Sequence, residues 1–450
     1  MLIVLEFLVI LGCLLLGTRY GGMGLGVISG IGLLILTFMF GLKPGSPPVG
    51  VILTIMAVIS CASVLQSAKG LQVMMRYAEK LLRKKPNYIT ILAPLTTWTL
   101  TVLCGTGHVV YTMFPIIYDI AIKKNIRPER PMAVASVASQ IGICASPMSV
   151  AVVSLVSILA SSHGVGKYIS MIDILKVAIP ASFVGVLMAG LWSLRRGKDL
   201  KDDPEFQEKL KDPETKKYIY GDSESTLLNE KLPKEAYIAT FIFLLTTAVV
   251  VFFGAFENFR PHVMDHGKSI PLSMNLLIQI LMLVAGALIL MICKVVPRDI
   301  PNGAIFKAGM TAIISVFGVA WMADTFFESH FALLKQFLES VVATKPWTYA
   351  IALFLVSKLV NSQAAAIASI APMGISLGVD PKIIVAFLPA AYGYFILPTY
   401  PSDLACIGFD RSGTTHIGKF IINHSFIVPG LIGVGTSCFL GYFLAQLAFP

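Results

Sequence analysis

Residues 103–119 read LCGTGHVVYTMFPIIYD, and the fold turns on what Gly105, Thr106, Gly107 and His108 do inside an otherwise apolar run. In a plain bilayer crossing their polar groups would sit among lipid tails at a cost in free energy. The run they interrupt, residues 88–122, is too long for a single helix, which needs about 20 residues. Basic stretches flank it on both sides, RYAEKLLRKK at 76–85 and KKNIRPER at 123–130. Short positively charged loops belong in the cytoplasm, so with both stretches on that side the run must enter the membrane and return. Gly105-Thr106-Gly107 is then the turn of a re-entrant hairpin.

The rest of the chain fits that setting. Of 450 residues, 56% are hydrophobic and 13% charged, and mean hydropathy is +0.79, whereas soluble domains carry about 25% charged residues. Apolar runs of spanning length fall at 2–16, 22–42, 49–68, 88–122, 132–160, 171–194, 236–256, 272–293, 305–326, 347–375, 382–408 and 420–448. The chain reads as an all-α polytopic membrane protein. The first run has no basic n-region and carries Glu6, so it reads as a retained helix rather than a signal peptide. The net charge of +10 comes from basic residues flanking spans, where they meet lipid headgroups, and does not indicate nucleic acid. Cys13, Cys61, Cys104, Cys144, Cys293, Cys406 and Cys438 lie singly in apolar runs, a packing pattern with no metal or redox spacing. No cofactor is expected.

Alternation from the basic loops places both termini in the periplasm and residues 195–235 in the cytoplasm. This segment is rich in both signs of charge, lacks apolar periodicity, and reads as a linker between two halves. The first half, residues 1–194, has its hairpin at 88–122 and a broken helix at 132–160. The second, residues 236–450, has a hairpin at 347–375 entering from the opposite side and a broken helix at 382–408. Inverted-topology repeats of this kind are the mark of secondary transporters, which bind substrate near the midplane at broken helices.

Polar islands occupy matching places in the halves: CGTGHVVYTMFP (104–115) and SQIGICASPMS (139–149), then VNSQAAAIASIAP (360–372) and YFILPTYPSD (394–403). Gly105, Gly107, Pro147, Pro398 and Pro401 break the helical ladder. Freed backbone groups, with Thr106, Ser146, Ser149, Asn361, Ser362, Gln363, Thr399 and Ser402, offer a ligand site. Helix N-termini at such breaks suit carboxylates, so two facing tips suit a molecule with two of them. The alternative for isolated Gly, Ser and Thr is close helix packing.

Charge and proton balance falls to His108, Lys358 and Asp403. His108 is positioned to touch substrate, to carry a proton, or only to brace the tip. Lys358 is a charge inside an apolar run, with snorkelling to the outer face as its alternative role. Asp403 is placed to accept a proton or to pair with Lys358 or Arg411. Asp119 and Asp324 read as interfacial. His163, His262, His266 and His330 read as external-loop residues, while His416 and His424 flank the last span.

GTGHVVYTMFPIIYDIA, IRPERPMA, ASPMSVAVVSLV, FLVSKLVNSQAAA, YGYFILPTYPSDLA and FDRSGTTHIGKFIINHSFIVPG together resemble the bacterial anaerobic C4-dicarboxylate (Dcu) transporters, nearer the fumarate/succinate-exchanging branch. The KPGSPPV and EKLLRKKPNYITILAP segments extend the likeness over essentially the whole chain. The resemblance implies an inner-membrane carrier exchanging fumarate, malate or aspartate for succinate in anaerobic respiration. It also implies an elevator-type fold of the ion-transporter superfamily, a homodimer, and for some members a membrane sensor kinase as partner. Carried over by motif, Thr106, His108, Ser146, Asn361, Ser362, Thr399 and Asp403 line the site. The tips depart from the Ser-Asn-Thr of distant sodium-coupled carriers, which counts against sodium coupling; a cation-coupled (proton or sodium) symporter is the first alternative to exchange. A membrane-embedded enzyme lacks an HExxH, a GxSxG or a paired-aspartate motif, and a channel lacks a filter signature. A pure sensor subunit would bind without counterflow.

Overall fold

The computed structural model describes residues 2–20, 23–47, 49–161, 169–220, 226–228, 230–265, 268–397, 400–418 and 423–449. Helix dominates throughout. Among the described residues seven helices are long and apolar enough to cross a membrane, or eight if one bent pair counts as a span.

The chain opens with α1 (Leu2–Tyr20) and α2 (Gly24–Leu34), which pack on each other. A π turn, Ile35–Met39, ends α2. The KPGSPP loop that follows is pinned to a later helix: Trp321 Nε1 donates to the Gly45 carbonyl at 2.7 Å, and the Ser46 N–H donates to Asp324 at 2.9 Å. Next come α3 (Val49–Ser67) and α4 (Gly70–Lys84), with a 70° bend between them. The basic stretch at 76–85, expected as a loop, is mostly the helix α4. Its apolar residues Leu71, Met74, Met75, Ala78 and Leu82 recur at helical spacing and are buried, so its lysines ride on the other face.

The run at 88–122 is two helices, α5 (Ile89–Cys104) and α6 (Val110–Lys123), joined at Gly105-Thr106 with a short 3-10 turn at Gly107–Val109. The run at 132–160 is likewise divided, into α7 (Glu129–Ile141) and α8 (Val150–Ser161), with a 3-10 turn at Gly142–Ala145 between them. α9 (Met171–Ser193) starts from a capping box in which the Ser170 and Asp173 side chains satisfy each other's backbone N–H, as helix starts require.

Residues 195–235 are more structured than their composition suggested. They hold α10 (Pro204–Lys209) and α11 (Pro213–Tyr220), and they press Leu200, Phe206 and Ile219 into the protein. These apolar anchors are too far apart in sequence to form a periodic pattern. Arg127 pairs with Asp203 at 2.7 Å and Arg130 with Asp199 at 2.6 Å, and the Tyr118 hydroxyl donates to the Ile219 carbonyl at 2.9 Å. Arg196 pairs with Glu129 at 2.8 Å; burial nevertheless pulls its guanidinium below the usual range, against the opposing pull of Glu129.

The second half begins with α12 (Lys234–Ala255) and a small antiparallel ribbon, β1 (His262–Asp265) and β2 (Lys268–Pro271), with Val263 opposite Ile270. α13 (Met274–Ile292) and the long α14 (Ala304–Thr344) follow. His330, expected in a loop, lies within α14 and bonds Glu6 of α1, while His163 and His266 lie outside the described residues. The second hairpin is α15 (Trp347–Val360) and α16 (Gln363–Ser376), and the second broken element is α17 (Pro381–Ala386), two 3-10 turns, and α18 (Pro401–Phe409). α19 (Ile427–Ala448) closes the chain.

Two groups of helices result. α9 and α19 pack extensively together, with α5 and α7 against α9. A Cβ on Gly185 of α9 would run into the Gly433 carbonyl of α19, the close backbone approach that small residues permit in membranes. In the other group α13 packs on α3, and α14 on α2 and α3; α16 stands between the groups, packed on α14 and on α8.

Candidate functional site

Both hairpin tips use the same backbone device. At the first, Gly105 is left-handed (φ 75°) and Thr106 extended, the Thr106 hydroxyl accepting the His108 N–H at 3.3 Å. At the second, Asn361 is left-handed (φ 48°) and Ser362 extended, the Ser362 hydroxyl accepting the Ala365 N–H at 3.3 Å. A left-handed residue stops one helix and an extended hydroxyl residue caps the next. Gly and Asn are the residue types that tolerate the first position.

The tips are seated on the broken helices. A Cβ on Gly105 would lie 2.6 Å from the Met148 carbonyl oxygen, and one on Gly107 would lie 3.0 Å from that of Ser139. Ser146 turns its hydroxyl to the Val102 carbonyl at 2.7 Å and accepts the Met148 N–H at 3.2 Å across Pro147. Ser146 and Pro147 therefore brace the first tip through buried side chains.

The halves meet around Gln140. Its Oε1 accepts the Tyr394 hydroxyl at 2.8 Å, and its backbone carbonyl accepts Gln363 Nε2 at 2.7 Å. Gln363 Nε2 also donates to the Tyr394 oxygen at 3.3 Å. One helical turn away, the Ser136 hydroxyl donates to Asp403 Oδ1 at 2.8 Å and is hydrogen-bonded to the Ser402 hydroxyl at 3.1 Å. Both sets of contacts are buried, so α7 of the first half is joined to the 394–403 island and to Gln363 of the second without solvent between.

Lys358 points inward rather than snorkelling. Its Nζ donates to Asn361 Oδ1 at 3.2 Å and to the carbonyls of Tyr394 and Leu397 at 3.4 Å. Asp403 is 1% exposed, and its Oδ2, like His108 Nδ1, is buried with no hydrogen-bond partner among the described residues. Arg411, a conceivable partner of Asp403, lies instead over the Tyr118 ring at 5.0 Å. His108 leans on Tyr111, ring to ring at 5.7 Å. Asp119 is tied to Arg83 and Lys123, each at 3.2 Å.

The structure thus brings together Gln363, Ser402, Asp403 and the first broken helix, and links Lys358 to Asn361. Pro398 and Thr399 lie outside the described residues. Ser136, Gln140 and Tyr394 were missed as individual residues, although Gln140 and Tyr394 stand inside the islands. A glutamine or tyrosine hydroxyl that must find a partner in an apolar run is a readable signal; Ser136, one small residue among many, is not. A cavity of about 230 Å³ opens between α14 and α16, lined by Asp324, Glu328, Ser369 and Met373 among others. It lies behind the second hairpin, away from the tips.

The seven or more helices of spanning length among the described residues make up a multi-pass membrane fold. The solved structure of Neisseria gonorrhoeae MtrF, described as one of a class of antimetabolite efflux pumps, shares it with a TM-score of 0.57 at 15% identity, over 93% of this chain and 84% of that one. The chain belongs to the anaerobic C4-dicarboxylate membrane transporter family, whose model it matches over residues 2–449. It is 54% identical over 447 residues to the anaerobic C4-dicarboxylate transporter DcuB of Escherichia coli O6:H1, covering 99% of each chain. It is 38% identical over 452 residues to the C4-dicarboxylate transporter DcuA of Wolinella succinogenes, covering 99% of this chain and 100% of that one.

Proposed function

We propose that this chain exchanges C4-dicarboxylates across the bacterial inner membrane by alternating access, taking up fumarate, malate or aspartate and releasing succinate. The observation that carries this reading is the repeated tip: Gly105-Thr106 and Asn361-Ser362 share one backbone conformation at matching places in the two halves. Each presents a capped helix N-terminus, and two such termini suit the two carboxylates of one substrate. The higher identity to the DcuB relative than to the DcuA relative supports the exchanging branch.

In this reading residues 1–194 and 236–450 are inverted repeats and residues 195–235 are the cytoplasmic connection, with both termini periplasmic. The two hairpins and broken helices with α9 and α19 form the unit that moves in an elevator-type stroke. The group around α1, α2, α3, α13 and α14 is the frame and, in a homodimer, the contact between copies. A membrane sensor kinase is a further partner of the kind some relatives use. Asp403 Oδ2, which has no hydrogen-bond partner among the described residues, favours proton coupling as the second reading.

The test is counterflow in proteoliposomes: labelled fumarate entering vesicles preloaded with succinate, compared with empty vesicles. Acceleration by internal succinate is expected. Its absence sinks antiport, and acceleration by an imposed proton or sodium gradient supports symport.

Asn361 supplies a sharper residue-level test. Glycine accepts a φ of 48° more readily than asparagine, so Asn361→Gly keeps the tip backbone and deletes one acceptor of Lys358. Exchange should fall severalfold with the melting temperature unchanged, and Asn361→Ala, which adds backbone strain, should fall further. Wild-type exchange in both variants removes Asn361 from the site.

A further inference from the structure

α4 has an outer face whose chemistry the transport site does not use. α3 and α4 together have the apolar content of a span, yet the chain bends by 70° between them, with Lys69 left-handed at the corner (φ 61°). α4 therefore leaves the direction of α3 and runs as an arm toward the first hairpin. Its inner face touches that hairpin: Met74 Sδ lies 3.7 Å from Cys104 Sγ, and Met75 contacts the Thr112 hydroxyl.

The charged residues of α4 divide into an engaged set and an exposed set. Its single acid, Glu79, is turned inward, 0% exposed, and holds Arg83 and the Leu227 N–H, each at 2.7 Å. Arg76 is also engaged, donating to the Leu228 carbonyl at 2.9 Å and the Tyr237 hydroxyl at 3.1 Å. What faces outward is Tyr77, Lys80, Leu81 and Lys84, followed by Lys85 and Tyr88, all exposed. Helical spacing places Tyr77, Lys80, Leu81 and Lys84 on one stripe, and exposed Lys85 and Tyr88 continue it past the end of the helix. Lysine is depleted at protein interfaces and favoured at membrane surfaces, where its stem lies on apolar surface and its ammonium reaches the headgroups. Tyrosine sits at the same level with one apolar and one wet edge. A stripe of both, bare of acids, complements an anionic membrane surface.

We infer that the Tyr77–Tyr88 stripe binds anionic lipid headgroups of the cytoplasmic leaflet and that this binding sets the exchange rate through the first hairpin. The cytoplasmic side rests on the orientation given above. The link to rate follows from the construction of the arm: the helix that holds the headgroups is the one whose opposite face carries Met74 and Met75 against α5 and α6.

The experiment compares wild type with the triple variant Lys80→Gln, Lys84→Gln, Lys85→Gln. Binding of a fluorescent phosphatidylglycerol to the full-length protein in detergent is read by anisotropy, which needs no transport. Each lysine removed should weaken it by roughly fivefold. Counterflow is then measured in vesicles of phosphatidylcholine alone and in vesicles with about one third phosphatidylglycerol, a composition that gives an anionic surface. Wild type should run faster in the anionic vesicles, and the variant should match wild type in phosphatidylcholine and lose the acceleration. Unchanged phosphatidylglycerol binding by the variant overturns the proposal, and so does an equal acceleration in both proteins. A variant slow in phosphatidylcholine assigns the lysines to bracing the hairpin, against the proposal. Cross-linking of Tyr77→Cys between copies would put a second copy on the stripe and also overturn it. Should counterflow be absent in every vesicle, the exchange reading fails while the binding result stands on its own.

Discussion

Replacing Lys358 by glutamine is expected to cut succinate and fumarate exchange about ten- to hundredfold, the factor that follows from a hydrogen bond to a charged group contributing about 1.5–3 kcal/mol. Lys358 Nζ is held among Asn361 Oδ1 and the Tyr394 and Leu397 carbonyls, so it joins the second tip to the second broken element. On the proposed reading, a dianion entering between the tips brings further negative charge to this ammonium, where charges interact strongly in an apolar setting. The discriminating readout is substrate charge. In Lys358→Gln the KM for succinate, a dianion at neutral pH, should rise more than that for aspartate, whose ammonium offsets one carboxylate, and Lys358→Arg should recover part of the difference. Equal losses for both substrates, with a lower melting temperature, would make Lys358 a brace for the tip and nothing more.

Gly105→Ala should be the most damaging change of a single methyl group. A residue with a Cβ pays about 1–2 kcal/mol to adopt the left-handed conformation, and here the new carbon would also stand 2.6 Å from the Met148 carbonyl oxygen. That oxygen belongs to backbone at the break between α7 and α8 and has no rotamer with which to escape. The tip must shift off its seat, and misplacement of a binding group by about 1 Å is enough to lose two orders of magnitude in a positioned reaction. Exchange should fall more than tenfold, consistent with that scale, together with a drop in melting temperature. Gly408→Ala in α18, where a Cβ meets nothing within 4 Å, is the matched control and should keep near wild-type exchange. Wild-type exchange in Gly105→Ala would mean that the first tip is not seated as described.

Much of the architecture was legible because membranes restrict backbone so strongly. A polar, glycine-containing interruption of an apolar run must satisfy its own N–H and C=O groups, so LCGTGHVVYTMFPIIYD already implied a turn at Gly105. The same logic placed breaks near Pro147, Asn361 and Tyr394–Asp403: Pro147 and Asn361 stand in turns, while the third stretch holds the 3-10 turn Tyr394–Ile396 and α-helix again from Pro401, so Pro401, Ser402 and Asp403 open α18 instead of interrupting it. Amphipathic structure outside the spans was less legible. Residues 76–85 contain enough charge to pass for a loop, and only burial of Leu71, Met74, Met75, Ala78 and Leu82 makes them a helix. Residues 195–235 hid their anchors because Leu200, Phe206 and Ile219 dock through irregular spacing and ion pairs to distant arginines.

By itself, then, the sequence determined that this is a membrane protein with broken helices, where the breaks fall, and which residue types stand at them. Those are consequences of local chemistry: chain polarity, glycine and proline, and the cost of unpaired backbone in lipid. Only the tertiary structure decided which breaks touch. That Gln140 of the first half holds Tyr394 and Gln363 of the second, that Ser136 rather than Arg411 bonds Asp403, and that Lys358 turns inward are all matters of contact between residues far apart in the chain. No spacing rule reports such contacts, because side chains find partners by where the packed helices bring them, and that is set by the whole bundle at once.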